Sequence, residues 1–478
     1  MTNLKGVLDG IRKIMWQDTG LNGDAQRIEQ LGWMLFFKIF SDKEKELEMM
    51  IDGYTSPIPK ELHWDEWAGD DEGRTGDELQ DFVDNKLFKQ LRDIQILPSD
   101  DLYNKRALIV REVFQGNNNY MKSGINIRKV LNKLNELDFN VAKDKNSFGE
   151  LYETILKDLQ SAGKSGEFYT PRAITEFITS MMNPQIGEKI LDPACGTGGY
   201  LTAAIEHLKN QASSVEDRQS IAANIVGWEY KPLPYLLATT NLILHDIEVP
   251  NITFRDSLDQ PLTNYRQRDR VDLILANPPF GGVVANNNEN NFPQNFRTKE
   301  SADLFLILMI HLLNNSGKAG IVLPDGSLTG EGVKQRVRER LLKECNLHTI
   351  IRLPNSVFQP YATVATNLLF FTKGTPTKEI WYYEHRLPEG QKAYNKTRPI
   401  QVKEFDPIKK WWDNRVESEV SWKVGLDEIE KRNYDLDIKN PNQKEKTIDY
   451  SSTQLMRMLE DSFKKSQQLL DQLKEAVR

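Results

Sequence analysis

From about residue 186 the chain alternates short apolar runs, each ending in turn residues, with segments of helical period, and nothing else in it limits the possible folds as strongly. Candidate strands are Lys189–Asp192, Ile225–Glu229, Ile252–Arg255, Val271–Ala276, Ala319–Leu323, Thr349–Leu353 and Asn367–Thr372. Strands separated by helices predict an α/β fold with a mainly parallel sheet flanked by helices, and seven strands complete an open sheet. Ligands of such sheets bind at the carboxyl ends of the strands. Side chains for chemistry are therefore sought there.

Either side of this region the pattern is helical. In residues 1–145, Ile28, Leu31, Leu35 and Ile39 recur at steps of three or four, as do Leu151, Ile155 and Leu159 further on. Trp64–Gly73 reads as an acidic, glycine-containing loop and Gln115–Asn119 as a polar break. The last segment carries Leu455, Leu459, Phe463, Leu470, Leu473 and Val477 along one helical seam, suited to its own body or to another subunit. With 478 residues there is room for two or three domains. The expected division is a helical domain over 1–145, an α/β domain over 146–448, and a docking helix over 449–478.

Composition excludes several classes. No apolar run approaches the roughly 20 residues of a membrane span, and the first residues lack the apolar core and cleavage site of a secretory signal. The expectation is a cytoplasmic protein without membrane contact. Two cysteines, Cys195 and Cys345, offer at most one disulfide, and no Cys/His spacing resembles a zinc site, so no metal is expected. The formal charge of −7 is unusual for a chain that grips nucleic acid unaided, because phosphate neutralisation needs a basic footprint.

Lys189-Ile190-Leu191-Asp192-Pro193-Ala194-Cys195-Gly196-Thr197-Gly198-Gly199-Tyr200 runs from a strand through a glycine-rich turn into a helix. Gly198 is followed by Gly199-Tyr200, so the Gly-Lys-Ser/Thr ending of a triphosphate loop is missing, and Leu201 stands where a dinucleotide turn has its third glycine. The turn favours a ligand without a pyrophosphate. Glu229 ends the next strand, where a carboxylate can accept from both hydroxyls of a ribose. Asp256 follows the third strand, where it can accept from an adenine amine. Singly, each acid reads as a solvated strand end; in order, they point to an adenosine cofactor.

Val271–Ala276 ends in Asn277-Pro278-Pro279-Phe280. Two prolines force the chain out of the sheet with a stiff backbone, and the tetrad arises by chance in roughly one such chain in a few hundred. An amine conjugated to an aromatic ring has a delocalised lone pair and attacks a methyl sulfonium poorly. The Asn277 side-chain oxygen and the Pro278 carbonyl can each accept one amine hydrogen, favouring a pyramidal nitrogen with its lone pair exposed. Phe280 would stack on a base rotated out of its duplex. Five asparagines between Asn286 and Asn291, then Arg297 and Lys299, suggest a mobile loop after the tetrad, either ordering on nucleic acid or serving as a plain linker.

The glycine-rich turn followed by Asn-Pro-Pro-Phe resembles the amino-methyltransferases, and Gly166-Glu167-Phe168-Tyr169-Thr170-Pro171-Arg172 resembles the extra cofactor-contacting segment of DNA adenine methyltransferases in the gamma motif order. With the helical flanks, nearly the whole chain resembles the modification subunit of type I restriction-modification systems. The resemblance implies a Rossmann-like S-adenosylmethionine methyltransferase sheet and transfer of a methyl group to the N6 amine of adenine in double-stranded DNA. Gly166, Glu167, Phe168, Tyr169, Thr170 and Pro171 would close over the methionine part of the cofactor. Asp192, Ala194, Gly196, Thr197, Gly198 and Gly199 would back it, Glu229 would hold its ribose and Asp256 its adenine. The implied partners are a second copy of the chain, a specificity subunit that reads the DNA and a restriction subunit for cleavage, which would account for the missing basic footprint. Cys195 departs from the small residues common at its position, and a catalytic thiol is not expected there. Two alternatives stay open: an amino-methyltransferase acting on RNA or on a protein glutamine, and a silent assembly scaffold.

Overall fold

The computed structural model describes residues 4–137, 170–359, 364–395, 397–442 and 452–476. Among these, nine strands form one sheet: β1 Ile190–Asp192, β2 Ile225–Glu229, β3 Ile252–Phe254, β4 Val271–Ala276, β5 Leu313–Pro324, β6 Cys345–Arg352, β7 Thr366–Lys373, β8 Glu379–Glu384 and β9 Ser421–Gly425. Their order is β3-β2-β1-β4-β5-β7-β6-β8-β9. β3, β2, β1, β4 and β5 run parallel, while β7 lies antiparallel between β5 and β6. After β1 the chain builds outward through β2 and β3, then returns to place β4 on the other side of β1. That reversal opens a crevice at the carboxyl ends of β1 and β4.

All seven expected strands are present, and two more extend the sheet beyond β6. β8 pairs parallel with β6, and β9 closes the edge antiparallel to β8. Tyr382 and Trp422 stack across that last pair with ring centroids 5.3 Å apart. Neither segment shows the long apolar run of a central strand: β8 and the edge strand β9 both mix buried with exposed or half-buried positions. β5 begins at Leu313, six residues before the expected start, because Leu313 pairs with Val271 and Asn314-Asn315-Ser316-Gly317 bulge out before pairing resumes at Lys318.

The helix Asp24–Met50 explains how the N-terminal region attaches. Trp33, Phe36, Phe37 and Phe40 are fully buried on it, and its other side meets the helix Pro232–Leu244. A Cβ on Gly32 would lie 2.9 Å from Leu236 Cδ2, so a larger residue there requires that leucine to shift. Arg106 donates to Glu44 and to the backbone carbonyl of Glu248, and the Arg106 and Glu44 side chains are 1% and 0% exposed. Tyr235 Oη donates to Glu112 Oε2 at 2.5 Å. The helical region and the sheet therefore share one continuous hydrophobic core.

The loop expected at Trp64–Gly73 is corrected in part. Trp64–Trp67 forms a helical turn with both indoles buried, Trp64 and Trp67 lying edge-to-face with centroids 5.6 Å apart. Acidic neighbours conceal a burial that the indoles drive. The Arg128 guanidinium gathers the carbonyls of Trp67, Ala68, Asp70 and Arg74 that follow. Leu151, Ile155 and Leu159 lie outside the described residues. The expected C-terminal helix is present as Ser452–Ala476, where Leu455, Leu459, Phe463 and Leu470 are 48–71% exposed. Among the described residues, no helix is long and apolar enough to cross a membrane.

Candidate active site

The turns after β1, β2, β3 and β4 surround a solvent-open cleft of about 1210 Å³. Its floor is the glycine-rich turn. Gly196 and Gly198 have φ of 55° and 80°, a region that side chains with a Cβ disfavour, and Gly198 caps the helix Gly199–Lys209. The turn is tied to β2 through Cys195 N donating to Trp228 O at 3.0 Å, and Gly198 N donates to Cys195 O at 2.8 Å. A Cβ on Gly227 in β2 would stand 2.8 Å from Leu201 Cδ1 and 3.0 Å from Cys195 Sγ, so this glycine lets the turn sit down on the sheet.

Glu229 is the hinge of the cleft. Its Oε1 accepts from the backbone of Tyr230 at 2.9 Å and of Lys231 at 2.8 Å, and its Oε2 accepts from Gly196 N at 3.0 Å. Burial raises its proton affinity, and those amides oppose the rise. Asp192, fully buried at the end of β1, is pushed up to about 8 by burial, with the Ala194 amide working against that and the Glu229 charge adding to it. Two buried carboxylates side by side favour a ligand that brings positive charge.

Asp256 lies on the same wall. Its Oδ1 accepts from Leu258 N at 2.9 Å and its Oδ2 from Asn288 Nδ2 at 2.9 Å. Asn288 belongs to the asparagine-rich segment expected to be a loop. Here that segment is folded over the cleft: Asn291 donates to Leu258 O at 2.8 Å, Lys299 pairs with Glu289 at 2.6 Å, and Phe292 is buried. The asparagines act as donors to the strand-end turn, a use that composition alone cannot distinguish from solvation.

The opposite wall carries Asn277-Pro278-Pro279-Phe280. Asn277 Nδ2 donates to Thr170 Oγ1 at 3.0 Å, and among the described residues its buried Oδ1 has no partner. Ser301 Oγ donates to Pro279 O at 2.9 Å, fixing the loop from the helix Ser301–Leu312. Phe280 meets Phe358 edge-to-face with centroids 6.3 Å apart. The arrangement is an acceptor oxygen on a rigid loop beside an aromatic face, opening on an acidic cleft.

Of the candidates read from the sequence, Thr170, Asp192, Ala194, Gly196, Thr197, Gly199, Glu229, Asp256, Asn277, Pro279 and Phe280 line this one cleft. Gly198 backs it as a helix cap, and Pro171 precedes the helix Arg172–Met182. Pro278 links Asn277 to Pro279 and is not itself a wall residue. Gly166, Glu167, Phe168 and Tyr169 lie outside the described residues. Cys195 is buried with its thiol pushed far up by burial, then by the Asp192 and Glu229 charges. Three residues went unseen in the sequence. Ser301 and Phe358 come from distant segments with no motif of their own. Tyr200, whose buried hydroxyl has no partner among the described residues, hides in the helix start.

The cleft fits S-adenosylmethionine on its own chemistry. Buried carboxylates suit a molecule positive at sulfur and amine, the Tyr200 hydroxyl has no partner among the described residues, and Glu229 and Asp256 offer acceptors in the spacing of successive strand ends.

Comparison with known proteins places the family over nearly the whole chain. A family model described as N-6 DNA Methylase matches residues 143–449, and one described as HsdM N-terminal domain matches residues 4–134. The chain is 47% identical over 484 residues to the type I restriction enzyme EcoEI methylase subunit of Escherichia coli, covering 99% of this chain and 98% of that protein. It is similar to the crystal structure of a modification subunit of a type I restriction enzyme from Vibrio vulnificus YJ016, with TM-score 0.81, 41% identity, and 92% and 96% of the two chains covered. A second structure, described as the basis of complex assembly and conformational transition of the type I R-M system, gives TM-score 0.81 and 32% identity over 100% of this chain and 99% of that one.

Proposed function

This chain belongs to the N-6 DNA methylase family as a modification subunit of the type I restriction-enzyme kind, and from that premise we propose how its cleft carries out the methylation of adenine N6 in DNA. S-adenosylmethionine supplies an electrophilic methyl group on a sulfonium. Asp192, Glu229 and Asp256 hold that cofactor through its amine, ribose and adenine, with Ala194, Gly196, Thr197, Gly198 and Gly199 behind it and the 166–171 segment over its methionine end.

The observation that carries the reading is the Asn277 oxygen, buried without a partner among the described residues on a proline-stiffened loop beside this acidic cleft. It and the Pro278 carbonyl accept the two amine hydrogens of a flipped adenine, drawing the nitrogen toward a pyramidal shape. Phe280 stacks on the base. A pre-placed pair of acceptors needs no strong base, because the proton is lost only after the nitrogen has become cationic.

The three-part division, 1–145, 146–448 and 449–478, gives the chain an N-terminal helical body, a catalytic domain and a docking helix. The apolar seam of the last helix seats on a specificity subunit that reads the DNA, with a second copy of this chain beside it and a restriction subunit joining for cleavage. Host DNA is thereby protected in the cytoplasm. The test supplies the purified chain and its specificity subunit with labelled cofactor and, in turn, duplex DNA, RNA and a protein glutamine substrate. Label is expected in DNA adenine alone, lost in Asn277→Ala; label confined to RNA or protein sinks the reading.

A further inference from the structure

The reaction needs the Asn277 carboxamide in one of two orientations. With its oxygen toward the target, the group accepts an amine hydrogen; turned by a half rotation, it sets one NH2 against another. The two orientations have nearly the same shape, so packing does not separate them, and a hydrogen-bond partner must.

One partner is in place. Asn277 Nδ2 donates to Thr170 Oγ1 at 3.0 Å, and among the described residues the buried Oδ1 meets no donor. Thr170 is itself held, because Pro171 carries the next carbonyl and accepts from Ile174 N at 2.8 Å and Thr175 N at 3.2 Å in the first turn of Arg172–Met182. Asn277 is held from its other side by Pro278, whose ring fixes its own φ and narrows the conformation of the residue before it.

We propose that Thr170 is a positioning residue for methyl transfer: its hydroxyl oxygen accepts from Asn277 Nδ2 and keeps Oδ1 turned toward the target amine. The proposal rests on the reading of Asn277 as an acceptor for that amine. A threonine hydroxyl can also donate, and in the turned-over arrangement it would donate to Oδ1. That arrangement leaves two NH2 groups facing each other in a buried site, a cost the observed one avoids. Thr170 also lines the cofactor cleft, so one residue serves both the cofactor cleft and the acceptor for the base.

The test uses the full chain in complex with its specificity subunit and a duplex carrying the target, read as a single-turnover methylation rate at saturating S-adenosylmethionine, with cofactor affinity by calorimetry. Thr170→Val, which keeps the shape and removes the acceptor, is expected to slow the single-turnover rate at saturating cofactor on the order of tenfold, with any loss of cofactor affinity read separately by the calorimetry. Thr170→Ser restores the rate. An unchanged rate in Thr170→Val, or a loss fully recovered by more cofactor, overturns the positioning role. Asn277→Ala separates the two levels of the argument. If it keeps the parent rate, the reading of Asn277 falls and the positioning role with it; if it loses the rate while Thr170→Val keeps it, only the positioning role falls.

Discussion

Replacing Glu229 by glutamine removes one charge and little volume, yet the surroundings of the side chain make it a severe change for cofactor binding. Glu229 is 6% exposed, and its two oxygens accept three backbone N–H groups from Gly196, Tyr230 and Lys231. All three of its hydrogen-bond partners are donors. A carboxamide has one oxygen, so whichever way the Glu229→Gln side chain settles, its NH2 meets at least one backbone N–H. If the oxygen stays with Tyr230 and Lys231, the Gly196 amide is left buried and unpaired, a cost of about 1–3 kcal/mol borne by the turn under the cofactor. Loss of a charged acceptor for the ribose adds about 1.5–3 kcal/mol. The second cost weakens cofactor affinity by roughly 10 to 10², while the first is borne by the folded chain with or without cofactor. The fold without cofactor suffers less, because the variant no longer buries a charge whose proton affinity is raised by that burial. Titration calorimetry with S-adenosylmethionine and melting curves with and without it measure both effects. The expected pattern is a melting temperature near that of the parent without cofactor, and no rise on adding it. Binding within about threefold of the parent would refute the assignment of Glu229 as an all-acceptor ribose holder.

Other consequences follow from packing. Arg106→Ala leaves Glu44 charged and enclosed, and is expected to destabilise the chain by about 3–5 kcal/mol, whereas joint replacement by Arg106→Met and Glu44→Leu recovers most of the loss in denaturant titrations. His348 is lowered to about 4 by burial and then by the Arg415 charge. Its unfolded value is higher, so its contribution is complete above about pH 6.5 and is lost as pH falls toward 4, amounting to about 3 kcal/mol over that interval. His348→Gln should flatten this acid limb, and an unchanged pH profile counts against it. Phe463→Asp, at a position 71% exposed on the last helix, should leave the melting temperature of the isolated chain within about 2 °C of the parent while abolishing co-purification with the specificity subunit. Undiminished assembly would place the docking surface elsewhere.

The order of cofactor and catalytic elements was legible in the sequence because each announces itself locally. A glycine-rich turn needs φ values that few residues accept, two prolines must break a strand, and acids at strand ends are set by the alternation itself. The seven central strands followed from the same rule. Other features depend on partners far along the chain. β8 and β9 exist because β6 offers an edge to pair with, and Asn288 and Asn291 after the tetrad donate to Asp256 and the Leu258 carbonyl, partners far from them in the sequence. Trp64 and Trp67 look like loop residues until Phe37 is brought against them.

Thr170 and Asn277 show the division most clearly. The sequence determined their types and their places in motifs, since proline stiffness and side-chain chemistry are properties of the local chain. It could not determine that two residues 107 positions apart share a hydrogen bond. Only the sheet, by bringing the end of β4 to the start of the helix Arg172–Met182, decides which atom of Asn277 is occupied and which is left to accept.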